Sequence, residues 1–378
     1  MKNLTTTHYI YIDTATKMRA IESNSVALVV TSPPYPMIEM WDEIMANQNP
    51  DIQQAINNKD GHLAFELMHS FLDDVWAEVT RVLIPGGFAC INIGDATRTL
   101  NGEFQLYSNH SRIIQAFSTH GLQNLPNIIW RKQTNAPNKF MGSGMLPSGA
   151  YVTLEHEWIL IFRKGGKRKF LTEDEKYRRK ASSFFWEERN VWFSDLWELK
   201  GIKQKIDKTD SRKRSAAYPF DIPYRLINMY SLQGETVLDP FMGTGTTMLA
   251  AIASGRNSIG YEIDDAFKDI IIDNINSTPV SFFNSIIESR INSHKQFLLE
   301  RNSDLSKSEI KHFNENLNMP VMTKQETNIQ FYYLKETFTD SHNIINARYS
   351  KSIPENNQIS FENKVNRKNH ATAQASLF

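Results

Sequence analysis

The 378-residue sequence predicts an α/β protein built on a mostly parallel sheet. Three observations lead to this prediction. Short apolar runs rich in β-branched residues recur along the chain, as is typical of buried parallel strands. Segments with apolar residues at helical spacing alternate with these runs, which favours helices packed on the faces of one sheet. A glycine-rich turn between one run and one helical segment is typical of the ligand-binding edge of such sheets.

The amino-terminal part of the chain supplies three predicted strands and one long helix. Residues 8–12 and 26–30 are short β-branched runs, and the polar, helix-compatible stretch between them predicts a β-α-β unit. Apolar residues recur at helical spacing over 63–83, and this helix is expected to end at the Pro-Gly-Gly turn at 85–87. A further buried strand is expected at 88–93.

The same patterns continue through the rest of the chain. A polar stretch at 36–62 interrupts them and is expected to be irregular or lid-like. Helices are predicted at 111–117, 219–233, 246–253 and 279–318. Strands are predicted at 127–130, 157–162, 236–238 and 258–261. Strands and helices therefore alternate, as expected for an α/β fold.

Composition excludes several classes of protein. Apolar residues make up 40% of the chain, enough for a sizeable core, and the formal charges balance at zero. No run of eighteen apolar residues occurs, so no membrane span is expected. The amino terminus lacks the apolar stretch of a secretory signal, and a single cysteine, Cys90, excludes a disulfide framework and a Cys-based zinc cluster. We therefore expect a cytoplasmic protein without a bound metal, in which Cys90 is a buried thiol.

Residues 163–214 differ from the rest of the chain in charge. They hold seventeen Lys or Arg against nine Asp or Glu, with eight aromatic residues interleaved. Cations that contact phosphates and aromatic rings that contact bases are what a nucleic-acid-binding face needs. The alternative is a solvated charged insertion whose aromatic residues pack locally.

The glycine-rich turn lies between a predicted strand and a predicted helix. Its glycines, Gly243 and Gly245, allow a ligand to approach the backbone closely. The third glycine of the dinucleotide fingerprint is missing, and the turn lacks the Gly-Lys-Ser/Thr of a P-loop. Glu262, which ends the next strand, can accept hydrogen bonds from two ribose hydroxyls, and Asp239 suits an ammonium group. A ribose and an ammonium without a phosphate describe S-adenosylmethionine; the alternative is a structural turn without a ligand.

A Ser-Pro-Pro-Tyr turn at 32–35 directly follows the strand predicted at 26–30. Proline fixes φ and removes backbone donors, so the carbonyl groups of Ser32 and Pro33 lack local partners and can point into a cleft. The Ser32 hydroxyl and the Pro33 carbonyl can then accept both protons of an exocyclic amine, which frees the nitrogen lone pair. Tyr35 can stack on the base, which must first be flipped out of a duplex. The alternative is a rigid loop that ends a strand.

The order of the two motifs, with the Ser-Pro-Pro-Tyr turn first and the glycine-rich turn last, resembles that of the β-class DNA amino-methyltransferases of bacterial restriction–modification systems. The resemblance covers residues 8–265. It implies a Rossmann-like S-adenosylmethionine-dependent methyltransferase fold with a mostly parallel seven-stranded sheet. It also implies S-adenosyl-L-methionine as the cofactor and double-stranded DNA as the substrate, with base flipping and direct methyl transfer.

The family's site residues carry over by their positions in the motifs. The catalytic motif matches Ser32, Pro33, Pro34 and Tyr35. The methionine side of the cofactor loop matches Asp239, Phe241, Gly243, Gly245, Thr246 and Thr247. Glu262 matches the ribose-binding acid, and Asp13 resembles the acid that contacts adenine. Pro219 and Phe220 resemble, more loosely, the segment that packs against the methionine end.

The resemblance over 8–265, together with the residue patterns beyond it, divides the chain into five predicted parts. These are a catalytic half at 1–162, a target-recognition region at 163–214, a cofactor-binding half at 215–278, a helical extension at 279–349 and a disordered tail at 350–378. Within the first part, the Glu-His-Glu sequence at 155–157 resembles the strand motif that flanks the target pocket.

The first residue of the catalytic motif bears on the product. In this family, Ser-Pro-Pro-Tyr preceded by threonine is usual for cytosine N4, whereas Asp-Pro-Pro-Tyr is usual for adenine N6. Cytosine N4 is therefore favoured, and adenine N6 stays open. An RNA or protein amide substrate and an inactive nucleic-acid binder are further alternatives. Family habit implies a cognate restriction endonuclease, and either a monomer or a homodimer.

Overall fold

The computed structural model describes residues 4–132, 141–200, 218–304, 306, 308–340 and 344–352. Most of the tail predicted to be disordered at 350–378 lies outside these residues. The described part of the chain forms sixteen strands: β1 (Thr5–Ile12), β2 (Val26–Thr31), β3 (Leu83–Ile93), β4 (Ala96–Leu100), β5 (Glu103–Tyr107), β6 (Leu122–Arg131), β7 (Met141–Gly142), β8 (Ala150–Tyr151), β9 (His156–Lys164), β10 (Leu196–Glu198), β11 (Thr236–Asp239), β12 (Asn257–Glu262), β13 (His312–Asn314), β14 (Met319–Val321), β15 (Tyr333–Thr339) and β16 (Ile345–Ser350).

Ten α-helices accompany these strands within the same residues. They are α1 (Asp42–Gln48), α2 (Pro50–Asn57), α3 (Gly61–Val82), α4 (Asn109–Thr119), α5 (Glu173–Ala181), α6 (Trp186–Trp192), α7 (Asp221–Tyr230), α8 (Thr246–Ala253), α9 (Phe267–Ser277) and α10 (Val280–Ser303). Short 3-10 turns lie at Ala15–Lys17 and Glu39–Trp41. None of these helices combines the length and the apolarity that a membrane span needs.

Ten strands form one sheet, in the order β10-β6-β9-β3-β2-β11-β12-β1-β16-β15. The central strands β3, β2, β11, β12 and β1 are parallel. Strand β9 runs antiparallel to β3 and β6, and β16 and β15 form an antiparallel hairpin beside β1. The α/β prediction is confirmed, but the count of seven strands is wrong, because β10 and the β15–β16 hairpin extend the sheet.

Helices cover both faces of the sheet, and the central strands show this in their burial. All six residues of β2 are buried, and the three consecutive residues Leu28, Val29 and Val30 alternate between two hydrophobic clusters. Val29 joins the cluster that contains Trp76 of α3, whereas Leu28 and Val30 join the cluster that contains Ile227 of α7. A strand covered on both faces is apolar throughout, which explains the continuous apolar runs in the sequence.

The polar stretch at 36–62 differs from its prediction as an irregular lid. It contains helices α1 and α2. Pro50 occupies the first position of α2, where its missing N–H costs nothing, and the Asn49 side chain accepts a hydrogen bond from the Asp51 amide at 3.0 Å.

Two predicted connections between elements also differ from the structure. Strands β1 and β2 are separated by a single 3-10 turn and are not neighbours in the sheet, so they form no β-α-β unit. The Pro-Gly-Gly sequence at 85–87 lies inside β3, where it forms a bulge rather than the end of the preceding helix. Val26 pairs with Leu83 and Leu28 with Phe88, so four residues of β3 are accommodated opposite one of β2.

The carboxyl-terminal extension is helical only as far as Ser303, and the helical prediction for 279–349 is wrong beyond that residue. The later residues form β13 to β16. Aromatic and β-branched residues at Tyr333–Thr339 and Ile345–Ser350 favour strands, and pairing with β1 satisfies the backbone groups of that edge.

Arg290 of α10 ties the extension to the region around α6. Its guanidinium forms a bidentate ion pair with Glu188, with Nη2 at 2.7 Å from Oε2, and the two side chains are only 10% and 11% exposed. It also donates a hydrogen bond to the Tyr224 hydroxyl at 3.2 Å. The rings of Trp192 and Phe331 lie 5.1 and 4.7 Å from the guanidinium carbon. The charge is therefore paired and covered by aromatic rings.

We predict that Arg290→Leu lowers the free energy of unfolding by about 3–5 kcal/mol, because it leaves the buried Glu188 carboxylate without its partner. Arg348→Leu is the matched control: Arg348 pairs with Glu336 at the surface, and its loss should cost less than about 1 kcal/mol. Urea unfolding followed by circular dichroism measures both values. Equal losses in the two variants would contradict the structural role of Arg290.

Candidate active site

A cleft of about 350 Å³ opens at the carboxyl ends of β1, β2, β11 and β12. Since the carboxyl ends of parallel strands meet at one edge of the sheet, turns that are far apart in the sequence lie side by side there. The predicted site residues that line the cleft are Asp13, Ser32, Pro33, Pro34, Tyr35, Asp239, Phe241, Gly243, Thr246 and Glu262.

Asp239 joins the two motifs. Its Oδ1 accepts hydrogen bonds from the Thr31 hydroxyl at 2.6 Å and the Phe241 amide at 3.1 Å. Its Oδ2 accepts hydrogen bonds from the Thr247 hydroxyl at 2.6 Å and the Tyr218 hydroxyl at 3.5 Å. Burial raises the pKa of Asp239, and the hydroxyl donors oppose that shift. The sequence suggested a carboxylate available to an ammonium group. Asp239 lines the cleft, and most of its acceptor positions are occupied by donors of the protein.

Glu262 lies at the end of β12 with its carboxylate held by the backbone. Oε2 accepts a hydrogen bond from the Gly243 amide at 2.9 Å, and Oε1 accepts one from the Asp264 amide at 3.0 Å. Burial raises the pKa of Glu262, and these backbone donors lower it. Because each carboxylate oxygen has two acceptor positions, each oxygen keeps one position for a ligand. Two neighbouring hydroxyls, each donating one hydrogen bond, need two such acceptor positions.

The glycine-rich loop needs its glycines for different reasons. Gly243 has φ of +52° and Gly245 has φ of +87°, a conformation that glycine adopts without steric cost. Among the described residues, no heavy atom lies within 4 Å of the position that a Cβ at Gly243 would take. Gly243 therefore leaves space inside the cleft, whereas Gly245 begins α8 and does not line the cleft.

A cluster of polar side chains surrounds the catalytic turn. The hydroxyls of Ser32 and Tyr35 share a hydrogen bond of 3.1 Å, and Tyr35 donates to Glu157 Oε2 at 2.9 Å. Asn92 donates to the Tyr35 hydroxyl and to Glu157 Oε2, both at 2.7 Å. Lys132 forms an ion pair with Glu157 Oε1. Burial, followed by the nearby Glu157 charge, raises the pKa of Tyr35 well above its ordinary value, so Tyr35 stays a neutral donor.

Tyr35 is held by this cluster more firmly than the sequence suggested. Its ring packs against Gly94, where an added Cβ would lie 3.0 Å from the ring edge. With its hydroxyl bound to Glu157 and its edge against Gly94, the ring is fixed in the cleft. Tyr35 therefore orients Ser32, in addition to any contact with a base.

Four predicted site residues do not line the cleft. Thr247 and Gly245 support the loop from behind, Thr247 through its bond to Asp239. Pro219 is buried, and Phe220 packs on Tyr224 with ring centroids 5.5 Å apart. The sequence had placed Pro219 and Phe220 against the ligand; instead Tyr218, the preceding residue, lines the cleft.

Several residues of the site were missed in the sequence. They include Asn92, Lys132, Tyr218, Asp264 and Phe267. Asn92 lies near the carboxyl end of β3 and Lys132 directly follows β6. The signal that could have identified them is their position at the carboxyl end of a strand, where parallel sheets bind ligands. Of the Glu-His-Glu sequence, Glu157 is the member that reaches the cleft.

The start of the basic region lies at the opposite edge of the sheet. Lys164 ends β9 and pairs with Leu122, the first residue of β6. Its ammonium donates to the carbonyls of Thr80 and Leu83, both at 2.7 Å, at the carboxyl end of α3. Arg178 donates to the carbonyl of Gln233, ahead of β11, at 2.9 Å. Residues 163–180 therefore cannot face a base held in the cleft.

The aromatic residues of the same region are divided between the core and the surface. Phe185, Trp192 and Trp197 are buried, whereas Trp186 and Phe193 are 42% and 40% exposed. The described beginning of the region therefore lies away from the cleft, because the antiparallel β9 carries the chain to the other edge of the sheet. Nucleic-acid binding by residues 163–214 stays a prediction. Residues 201–214 of that region lie outside the described residues.

The comparisons with known proteins agree on one family. The profile of the DNA methylase family matches residues 26–273, which include both motifs. Type II methyltransferase M.MthZI of Methanothermobacter thermautotrophicus is 54% identical over 330 residues, which cover 87% of this chain and 91% of that protein. Type II methyltransferase M.MjaI of Methanocaldococcus jannaschii is 53% identical over 284 residues, which cover 72% of this chain and 92% of that protein.

The solved structures include a similar fold with a bound ligand. TTHA0409 of Thermus thermophilus, in its complex with S-adenosyl-L-methionine, has a TM-score of 0.55 and 29% sequence identity. The similarity covers 71% of this chain and 92% of that chain.

We predict that Thr31→Val lowers the free energy of unfolding by about 1–3 kcal/mol, because it removes a donor from the buried Asp239 carboxylate without changing volume. Thr119→Val is the control, since the Thr119 hydroxyl is exposed and donates only to a carbonyl of its own helix. Chemical denaturation of both variants gives the difference. If Thr31→Val loses no more stability than the control, the hydrogen bond between Thr31 and Asp239 does not stabilise the site.

Proposed function

This chain belongs to the DNA methylase family, and from that premise we propose that it transfers a methyl group from S-adenosylmethionine to the exocyclic N4 of cytosine in duplex DNA. The observation that carries the proposal is the hydrogen bond between Thr31 and Asp239, which brings the catalytic turn and the glycine-rich loop into one cleft. A methyl donor and a base bound there lie side by side, as direct transfer requires.

The cleft fits S-adenosylmethionine through its own side chains. Glu262 keeps one acceptor position on each oxygen for the two ribose hydroxyls, and Gly243 leaves open space beside them. Ile263 and Phe267 supply apolar surface for the adenine, and Asp13 lines the same cleft. When bound, the cofactor supplies an electrophilic methyl group on a sulfonium; positioning and activation of the amine are the work of the protein.

Ser32 and Pro33 are the groups that activate the amine. The Ser32 hydroxyl and the Pro33 carbonyl each accept a hydrogen bond from the amino group, which favours a pyramidal nitrogen with a free lone pair. Methylation makes this nitrogen cationic, and it then passes one proton to the Ser32 hydroxyl oxygen, while Ser32 gives its own proton through the Tyr35 hydroxyl towards Glu157. A chain of two hydrogen bonds, of 3.1 and 2.9 Å, connects the Ser32 hydroxyl through the Tyr35 hydroxyl to the Glu157 carboxylate. The negative charge of that carboxylate stabilises the positive charge that develops on the amine.

The choice of cytosine N4 rests on Ser32 at the first position of the motif. A serine hydroxyl is neutral, and here it follows Thr31, as is usual for cytosine N4 in the family that the sequence resembles. Adenine N6 is the alternative product of the same cleft and the same mechanism. The relatives' names as Type II methyltransferases support a further role in protecting DNA from a cognate restriction endonuclease.

We predict that incubation of the protein with S-adenosylmethionine and unmethylated genomic DNA yields N4-methylcytosine, detected by mass spectrometry of the digested nucleosides. Ser32→Ala should lower the rate by about 100-fold, because the amine loses an acceptor. Cofactor affinity should be unchanged. Ser25→Ala, at an exposed serine ahead of the same strand, is the control.

The other products have distinct meanings. N6-methyladenine would overturn the base assignment and leave the cofactor and mechanism in place. Methylation of RNA or of a protein amide, with none on DNA, would overturn the proposed substrate. Full activity in Ser32→Ala would remove Ser32 from the chemistry.

We also predict that Gly243→Val weakens S-adenosylmethionine binding at least about tenfold, since its side chain would occupy the cleft and strain a backbone of positive φ. Gly121→Val is the control, because Gly121 has φ of +79° and open space but lies at the opposite edge of the sheet, before β6. Calorimetric titration gives both affinities. Equal weakening in the two variants would indicate backbone strain alone.

A further inference from the structure

The hairpin formed by β7 and β8 exposes apolar side chains to an unusual degree. The five most exposed large apolar residues in the described ranges are Val152 (86%), Met145 (84%), Leu171 (75%), Leu146 (69%) and Leu299 (66%). Three of these five lie between Met145 and Val152. Clustered exposure of this kind marks a site of interaction, whereas single exposed apolar residues are ordinary.

The tip of this hairpin is an ordered turn. The Ser143 amide donates to the Gly149 carbonyl at 2.8 Å, and the Ser143 hydroxyl donates to the Leu146 carbonyl at 2.6 Å. Gly142 has φ of +67°, and a side chain there would overlap the Gly149 carbonyl. The backbone groups of the turn are thus used internally, while Met145 and Leu146 project outward.

The hairpin is anchored beside the cleft. The chain leaves the cleft at Lys132 and re-enters it at Glu157, and the ion pair between these two residues joins both ends of the intervening segment. Within that segment, Tyr151 stacks on Phe104 of β5, with centroids 4.6 Å apart and the planes at 12°. The hairpin therefore lies at the same edge of the sheet as the catalytic turn.

Strand β4 pairs with β5, which carries Phe104, and it links the hairpin to a helix that lines the cleft. Arg98 of β4 forms a bidentate ion pair with Asp42 of α1, with distances of 2.9 and 2.7 Å. Ile44 and Gln48 of the same helix line the cleft. A duplex whose base enters the cleft must therefore pass close to the hairpin.

We propose that Met145 and Leu146 form an apolar wedge that enters the base stack of duplex DNA at the target pair and occupies the space that the flipped base leaves. The inference rests on the proposed function, since a base must leave the stack to reach Ser32. Methionine and leucine are among the side chains that proteins insert between base steps. Their burial between bases removes from water the apolar surface that the free protein exposes.

The test compares two duplexes of the sequence that the wild-type protein methylates. One duplex is fully paired, and in the other the target base faces an abasic position and is already unpaired. The double variant Met145→Ser/Leu146→Ser should methylate the paired duplex about tenfold more slowly and the unpaired duplex at close to the wild-type rate. Its affinity for S-adenosylmethionine should be unchanged.

Leu171→Ser is the matched control, because Leu171 is 75% exposed but follows β9 at the opposite edge of the sheet. It should methylate both duplexes at the wild-type rate.

Equal rates of the wild-type protein and the double variant on the paired duplex would overturn the wedge, as would an equal loss on both duplexes. Loss of self-association in sedimentation, without a change on the paired duplex, would instead assign the tip to a second copy of this chain. If the wild-type protein methylates no duplex DNA, so that no such sequence is found, the proposed function itself fails.

Discussion

The hydrogen bond between Thr31 and Asp239 is the contact on which the rest of the site depends. These residues end neighbouring parallel strands, although 208 positions separate them in the chain. Thr31 immediately precedes the catalytic turn, and Asp239 immediately precedes the glycine-rich loop. Because the carboxylate is buried and is held by donors from both motifs, neither strand can slip without removing hydrogen bonds from it. The relative position of the two motifs is thus fixed by one side chain.

Much of this arrangement could be predicted from the sequence, because the two motifs are local. Proline residues at 33 and 34 and glycines at 243 and 245 determine backbone conformation within a few residues, and each motif follows a continuous apolar strand. The α/β class follows from the same strands, since only a sheet covered on both faces buries them completely. Boundaries moved by a few residues, and helices such as α8 were located closely.

The rest could not be predicted because it depends on strand order and direction. Asn92, Lys132 and Glu157 come from three strands, and nothing in their local sequence indicates that they meet. The position of the basic region relative to the cleft could not be predicted for the same reason. Composition records how many cations a segment holds, but the antiparallel course of β9 decides at which edge of the sheet they lie. The hairpin at β15 and β16 was missed because edge pairing requires knowledge of the exposed strand.

The ion pair between Lys132 and Glu157 has a consequence for how such a protein can diversify. It closes the base of the segment that carries the β7–β8 hairpin, so changes in the length or sequence of that segment need not be transmitted to the catalytic cluster. Loop closure becomes only slightly more costly as a loop grows, and insertions there are therefore inexpensive. A lineage can acquire new specificity in this segment while inheriting its chemistry unchanged.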